Sequence, residues 1–301
     1  MDNFPALGRL AAARFLEWVS ENPEGIVSLP TGKTPEYFIK YVSRYLDRWE
    51  DASVRREMEE SGLDIRNKPS LKSLTFVQID EFYPVNPHHI NSFHYYVKKY
   101  YLDRFGIPED KALLINCAET GLPKGLSLDD VWGEDAVDLG LRYRTAKNEK
   151  EALRQEVIRR VDQWCVEYED RIQSLGGIGF FLGGIGPDGH IGFNVRGSDL
   201  HSTTRLTDIN YETQAAAAGD LGGIEVSSSR KVITIGLGTI TANPDCAAII
   251  IASGEAKARV VAESVKSPRN IRYPASALQQ LLRARFYLTG GAAKELTSRR
   301  I

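Results

Sequence analysis

The chain lacks the features that mark several large protein classes. It has three cysteines in 301 residues, Cys117, Cys165 and Cys246. Three thiols this far apart form neither a metal-type pair nor a disulfide framework, which suits a reducing cytosol and predicts a cytoplasmic protein. Long hydrophobic runs are missing. Even the run at residues 247–252 falls well short of the roughly 20 apolar residues that span a bilayer. No charge of one sign dominates: 38 Lys and Arg stand against 40 Asp and Glu, a formal net charge of -2. No bulk field therefore draws the chain to nucleic acid or to a membrane surface, and neither partner is expected. The first residues, Met1 to Pro5, have no basic region leading into an apolar stretch, so no signal peptide is expected. There is no internal repeat and no low-complexity tract beyond the short alanine run at 215–218.

What the chain does have is alternation. Residues 25–29 read as a short buried strand, followed by a turn. Thr34 and Pro35 then open a helix, with Thr34 as N-cap and Pro35 at the first helical position. Tyr37, Phe38, Tyr41, Val42, Tyr45 and Leu46 repeat there at helical spacing. Residues 50–70 are charged and predict a surface connection. A second strand is expected at 74–79, and a helix marked by Phe93, Tyr96, Val97 and Tyr100. Residues 116–148 are rich in Gly and Asp with a basic end at Arg142, Arg144 and Lys147, and they read as an insertion. A long helix over 149–174, strands at 178–182, 231–235 and 247–252, a helix near 255–265 and a strand at 285–289 complete the pattern. The expectation is a single α/β domain over residues 1–301: a doubly wound, mostly parallel, Rossmann-like sheet with helices on both faces. Such sheets bind ligands outside the carboxyl ends of their strands. The unusual residues fall at those ends, in segments 28–34, 80–81, 183–194, 236–239 and 253–257.

The first loop holds Thr31, Gly32, Lys33 and Thr34. A turn leading into a helix offers backbone N–H groups and a positive dipole end to an anion. Gly32-Lys33-Thr34 matches the tail of a nucleotide-binding P-loop, but Val27 stands where that motif needs glycine. Asp80 and Glu81 end the second expected strand. Adjacent side chains point apart there, so one can act as a base at the site while the other takes a structural partner. His88, His89 and His94 follow without metal-ligand spacing and read as solvated or hydrogen-bonding. The segment 183–194 carries Gly184, Gly186 and Gly189 in a G-x-G-x-x-G pattern, with Asp208 downstream. Pro187 and the pair Asp188/His190 do not suit a dinucleotide turn. A carboxylate two residues from a histidine, in a loop that permits close backbone approach, suits acid–base chemistry.

On these residues the chain resembles the glucosamine-6-phosphate deaminase family, and more distantly the 6-phosphogluconolactonases. Residues 31–35 are similar to the family's phosphate loop, 76–83 to its catalytic-aspartate strand, and 91–108 to the helix that follows. Residues 183–194 resemble its Gly-Asp-Gly-His segment, with an Ile-Gly-Phe-Asn ending like that of deaminases and unlike that of lactonases. Segments 235–239 and 254–257 match two later loops. The resemblance implies that Asp80 moves a proton between carbons 2 and 1 of an opened sugar and that Asp188 and His190 assist ring opening. It implies that residues Thr31 to Thr34 and Lys257 hold a phosphate, with Glu81, Gly184, Gly186, Gly189 and Asn194 completing the binding site. The implied substrate is a phosphorylated sugar and the reaction an aldose–ketose isomerisation, with loss of ammonia where carbon 2 bears an amine. No metal or organic cofactor is implied, because the substrate's carbonyl is the electrophile. Three positions depart from the pattern. Val195 stands where the family has a glutamate that partners the histidine, with Arg196 after it. Gly219 aligns with a phosphate-binding arginine, and Lys33 replaces a glycine. A 6-phosphogluconolactonase-like hydrolase and a non-catalytic sugar-phosphate sensor remain alternatives, and a homo-oligomer is left open.

Overall fold

The computed structural model describes residues 3–63, 66–211, 214 and 230–297. The alanine run at 215–218 and Gly219 lie outside them. The strands in chain order are β1 (Ile26–Ser28), β2 (Thr75–Val77), β3 (Asp80–Tyr83), β4 (Ala112–Leu113) and β5 (Phe180–Gly184), followed by β6 (Arg205–Thr207), β7 (Lys231–Thr234), β8 (Ala247–Ala252) and β9 (Arg285–Leu288). Six of them form one sheet in the order β4-β2-β1-β5-β8-β9. Every pairing in it is parallel. Strand order reverses between β1 and β5, which makes their carboxyl ends the crevice of the sheet.

Alternation of side chains puts one apolar set on each face. Phe180, Leu182, Ile249 and Ile251 pack with Phe15, Leu16 and Phe38 from the helices Phe4–Glu21 and Glu36–Asp47. Phe181, Ala248 and Ile250 pack on the other face with Val157, Ile158 and Val161 of the helix Glu149–Ser174. Both faces are thus covered, which is why β8 is apolar along its whole length. The long helix starts at Asn148, whose side chain accepts the Glu151 N–H at 2.9 Å. Among the described residues, no helix is long and apolar enough to cross a membrane.

The structure corrects several local expectations. β2 ends at Val77, and Asp80 and Glu81 open a separate strand. Strand β3 belongs to a three-stranded antiparallel sheet, β3-β7-β6, so 231–235 is not part of the main sheet. The break falls at buried Gln78. Its side-chain amide donates to the Asp80 carbonyl at 2.9 Å, and its side-chain oxygen accepts from the Ile115 N–H at 2.9 Å, so it bridges strand ends. Thr34 is not an N-cap: the helix begins at Glu36 with Pro35 before it and no side-chain cap. The helix at 93 turns into a π-helix over Lys98–Leu102. The wider turn rotates the face, so Tyr101 and Leu102 are buried while Tyr100 is exposed. Residues 52–60 are helical and bury Val54 and Met58, so 50–70 is more than a surface connection. Segment 116–148 contributes Val131, Trp132, Val137 and Leu141 to the core beside the long helix. Two residues of its basic end pair with the long helix, Arg142 with Asp162 at 2.6 Å and Arg144 with Glu151 at 2.7 Å.

Candidate active site

A cavity of about 300 Å³ opens at the carboxyl ends of β1 and β5. The β1 loop supplies Thr31, Gly32, Lys33 and Thr34. The β5 loop supplies Gly184, Gly186 and His190, and β3 supplies Asp80. Lys257 enters from the turn before the helix Ala258–Lys266. Nine of the thirteen residues expected at the site therefore share one cavity. Gly32 has φ +73°, a left-handed value that a side chain would strain. Gly184 is tight for another reason: a Cβ there would lie 3.0 Å from the Thr34 hydroxyl, so the β1 and β5 loops meet through it.

Asp188, Glu81, Gly189 and Asn194 do not line the cavity. Asp188 lies behind His190 and is 4 % exposed. Its Oδ1 is 2.6 Å from His190 Nδ1. Its Oδ2 accepts the Arg196 N–H at 3.0 Å and an Asn210 side-chain N–H at 2.7 Å. Burial alone would raise its pKa. The contacts and charge of His190 and these two donors outweigh that, holding the carboxyl well below the usual range. The bond to an ionised carboxylate places the imidazole proton on Nδ1 and makes Nε2 the basic nitrogen. The ring rests on Gly186, where a Cβ would come within 2.0 Å of His190 Cε1. Gly186 is thus the position that lets the histidine lie where it does. Gly189, with φ +88°, closes the turn between them.

Glu81 is fully buried, away from the cavity lining, and is held by structural partners. It accepts from Ser92 Oγ and the His94 N–H at 2.7 Å each, and from the Phe82 and Phe93 N–H groups at 3.0 Å each. It therefore caps the helix that starts at Phe93. Burial pushes its pKa up to about 7 against those hydrogen bonds. Four donors and no acceptor favour the ionised form. Asp80, 7 % exposed, has its pKa raised to about 8, first by burial and then by the Glu81 charge. Asn194 is fully buried and acts as a pin between loops. Its Nδ2 donates to the Ile191 and Ile235 carbonyls at 3.0 and 2.8 Å, and its Oδ1 accepts from Arg205 at 2.9 Å. It ties the histidine loop to the end of β7, which pairs with β3 at Asp80. At the same seam, a Cβ on Gly192 would lie 3.6 Å from Asp80 Oδ2.

Several residues at the site were not among the sequence candidates. Phe82, Phe93 and Phe193 form an apolar wall beside Asp80, with ring centroids 5.0, 5.2 and 6.2 Å apart. Phe93 carries the same helical-period signal as any core residue, so the pattern does not mark it as a cavity wall. Asn210 carries no signal at all. Arg196 is exposed, with its guanidinium 5.9 Å from the centroid of the Tyr273 ring. Among the described residues, no group of three or more His, Cys, Asp or Glu side chains could hold a metal ion.

No protein-family model matches the chain. It is 29% identical over 276 residues to the glucosamine-6-phosphate deaminase of Bacillus velezensis, covering 92% of this chain and 90% of that protein. It is also 29% identical over 277 residues to the deaminase of the same name from Clostridium perfringens, again with 92% and 90% covered. Among solved structures it superposes on a monomeric glucosamine-6-phosphate deaminase with a TM-score of 0.70, 23% identity and 98% of each chain covered. A 6-phosphogluconolactonase from Trypanosoma cruzi follows the same fold, with a TM-score of 0.62 at 16% identity, covering 99% of this chain and 96% of that one. Over nine-tenths of its length the chain is similar in sequence to glucosamine-6-phosphate deaminases, and it shares the fold of a solved one.

Proposed function

We propose that the chain is an enzyme that deaminates and isomerises an aminosugar phosphate of the glucosamine 6-phosphate type. The observation that carries this is the pairing, across one cavity, of a carboxyl group held at raised pKa with a histidine held by a carboxylate of lowered pKa. Two titratable sites pushed apart in this way can divide base and acid work between them. His190 Nε2 takes the proton of the anomeric hydroxyl and delivers it to the ring oxygen, which opens the sugar to its aldehyde. Asp80 takes the proton from carbon 2, giving a 1,2-enolamine as O1 gains a proton, and returns its proton to carbon 1 as the amine nitrogen loses one. The 2-amino aldehyde thereby becomes a 2-imine with a hydroxymethyl carbon 1. Water adds to that imine and ammonia leaves, giving the 2-ketose phosphate. Backbone N–H groups of the β1 loop, with Lys33 and Lys257, hold the phosphate. Burial lowers the Lys257 pKa, and the Asp188 charge opposes that shift.

Val195 removes one carboxylate that the family places beside the histidine, but His190 has Asp188 as a partner at 2.6 Å. The test is ammonia release from a panel of hexosamine 6-phosphates. Release that depends on the phosphate supports the reading. Hydrolysis of a phosphosugar lactone without ammonia release would support the lactonase reading instead, and binding without turnover would support a sensor.

A further inference from the structure

Asp188 is held from three directions. His190 meets Oδ1, while the Arg196 N–H and the Asn210 amide meet Oδ2. Any residue at position 196 could supply its backbone N–H, but the Asn210 contact depends on that side chain. The two oxygens of a carboxylate share one plane. Two donors on Oδ2 therefore fix the plane in which Oδ1 meets the imidazole. We propose that Asn210, on the segment that follows β6, is a positioning residue: its amide fixes the Asp188 carboxylate, which in turn fixes the tautomer and orientation of His190. The inference rests on the reading of His190 as an acid–base group given above.

The residue type fits this role. Toward a carboxylate, the NH₂ of an amide can only donate, and it does so without charge. Among the described residues, the charged or titratable side chains that act on Asp188 include His190 at contact distance and Lys257 through space. The Arg196 guanidinium is turned away over Tyr273. A lysine or arginine at position 210 would add a cation and weaken the field of Asp188 on a protonated imidazole. An asparagine orients the carboxylate and leaves that field intact.

The test uses Asn210→Asp and Asn210→Leu in the full chain. When protonated, the introduced carboxyl can donate to Asp188 as the amide does. When ionised, it sets a like charge against Asp188, so the pair shares a proton with a raised apparent pKa. Asn210→Asp is expected to keep turnover within about threefold at the acid end of the active range. It should lose roughly 10- to 100-fold as pH rises past the shared pKa, with KM little changed. Asn210→Leu should lose about tenfold at every pH. Nitrogen NMR of the His190 ring without substrate gives a second readout: proton on Nδ1 in the parent, a tautomer mixture in Asn210→Leu. Parent-like tautomer and turnover in both variants would overturn the proposal. If Asn210→Leu fails to fold, the pH dependence of Asn210→Asp still decides the matter. Should the parent release no ammonia while the variants change the tautomer, the functional reading fails and the positioning role stands. With an active parent and an unchanged ring signal, the reverse holds.

Discussion

The start of β3 and the turn after β5 each bring a nearly inaccessible aspartate to the same site, yet the two acidities move in opposite directions. Asp80 is 7 % exposed and has its pKa raised to about 8; Asp188 is 4 % exposed and lies well below the ordinary range. Burial raises both and is the largest cause of the Asp80 shift. Asp188 has a histidine, a backbone N–H and an amide on its two oxygens to oppose it, whereas Asp80 has an adjacent anion, Glu81, that adds to it. Whether the neighbours oppose burial or reinforce it decides which carboxylate takes up a proton near neutral pH and which stays charged beside the imidazole.

The largest expected effect comes from removing the raised member of the pair. Asp80→Asn should lower turnover by roughly 10²–10⁴-fold, the usual worth of a positioned general base, in the ammonia assay on the best substrate. The same residue sets the acid limb. A base must be ionised to work, so kcat/KM should rise with pH up to about 8, far above an ordinary carboxylate. A limb near pH 4 would remove Asp80 from that role. Stability should move the other way. The folded state keeps the Asp80 proton between about pH 4 and 8 while the unfolded chain has lost it, so this group makes the fold less stable as pH rises through that window. Asp80→Asn should therefore be more stable than the parent at pH 8, on the order of 1–3 kcal/mol by denaturant titration.

Removing the lowered member should cost somewhat less. Asp188→Asn keeps the shape but offers His190 an amide that can stabilise the wrong tautomer. A loss of about 10²–10³-fold in turnover is expected, concentrated in ring opening. A substrate analogue fixed in the open-chain form should recover most of it. Equal losses on ring and open-chain forms would place Asp188 outside that step. The stability linked to Asp188 is present above its unfolded pKa of about 4 and is lost as pH falls below that value. Asp188→Asn should therefore flatten the acid side of the parent's stability curve.

Much of this comparison could be read from the sequence, and the part that could not has a physical explanation. The parallel strands are continuous apolar runs because both faces of the sheet are covered, and that pattern is readable without coordinates. Asp188 and His190 stand out as polar residues among glycines after a strand, and Asp80 as a carboxylate at the end of an apolar run. The second sheet did not stand out. Only two residues separate β2 from β3, and nothing in an apolar run says that Gln78 will divide it by hydrogen bonding sideways. Glu81 and Asn194 were assigned to substrate because a polar residue at a site looks the same in sequence whether it faces the ligand or braces the loops behind it. Only the donors around Glu81 and the acceptors around the Asn194 amide tell the two apart. Asn210 was invisible because its partner, Asp188, is 22 residues away in the chain and the contact depends on how the intervening segment folds back.

A smaller effect concerns the phosphate side of the cavity. Lys33 is exposed at the mouth, in a loop whose other contribution is backbone. A solvent-facing ammonium gains only a modest amount from an anion, so Lys33→Ala should raise KM for the phosphorylated substrate by about two- to fivefold. Turnover and the KM for an unphosphorylated analogue should not change. Equal changes for both ligands would detach Lys33 from the phosphate.

The smallest expected effect is at Val195, where the family pattern predicts the largest. A glutamate at this position would be a natural partner for the histidine, and its absence suggests a defect that Val195→Glu should repair. The geometry around His190 argues otherwise. The ring's Nδ1 proton is already engaged by Asp188 at 2.6 Å, so the tautomer is set. A second carboxylate beside that dyad could not take the same proton. It would add a negative charge close to Asp188 and have to be desolvated in a half-buried loop. Val195→Glu is therefore expected to change turnover on glucosamine 6-phosphate by less than about threefold. A gain of tenfold or more in a folded variant would show that Asp188 holds the ring without activating it. The difference between the two aspartates would then describe how the site is built and not how it works.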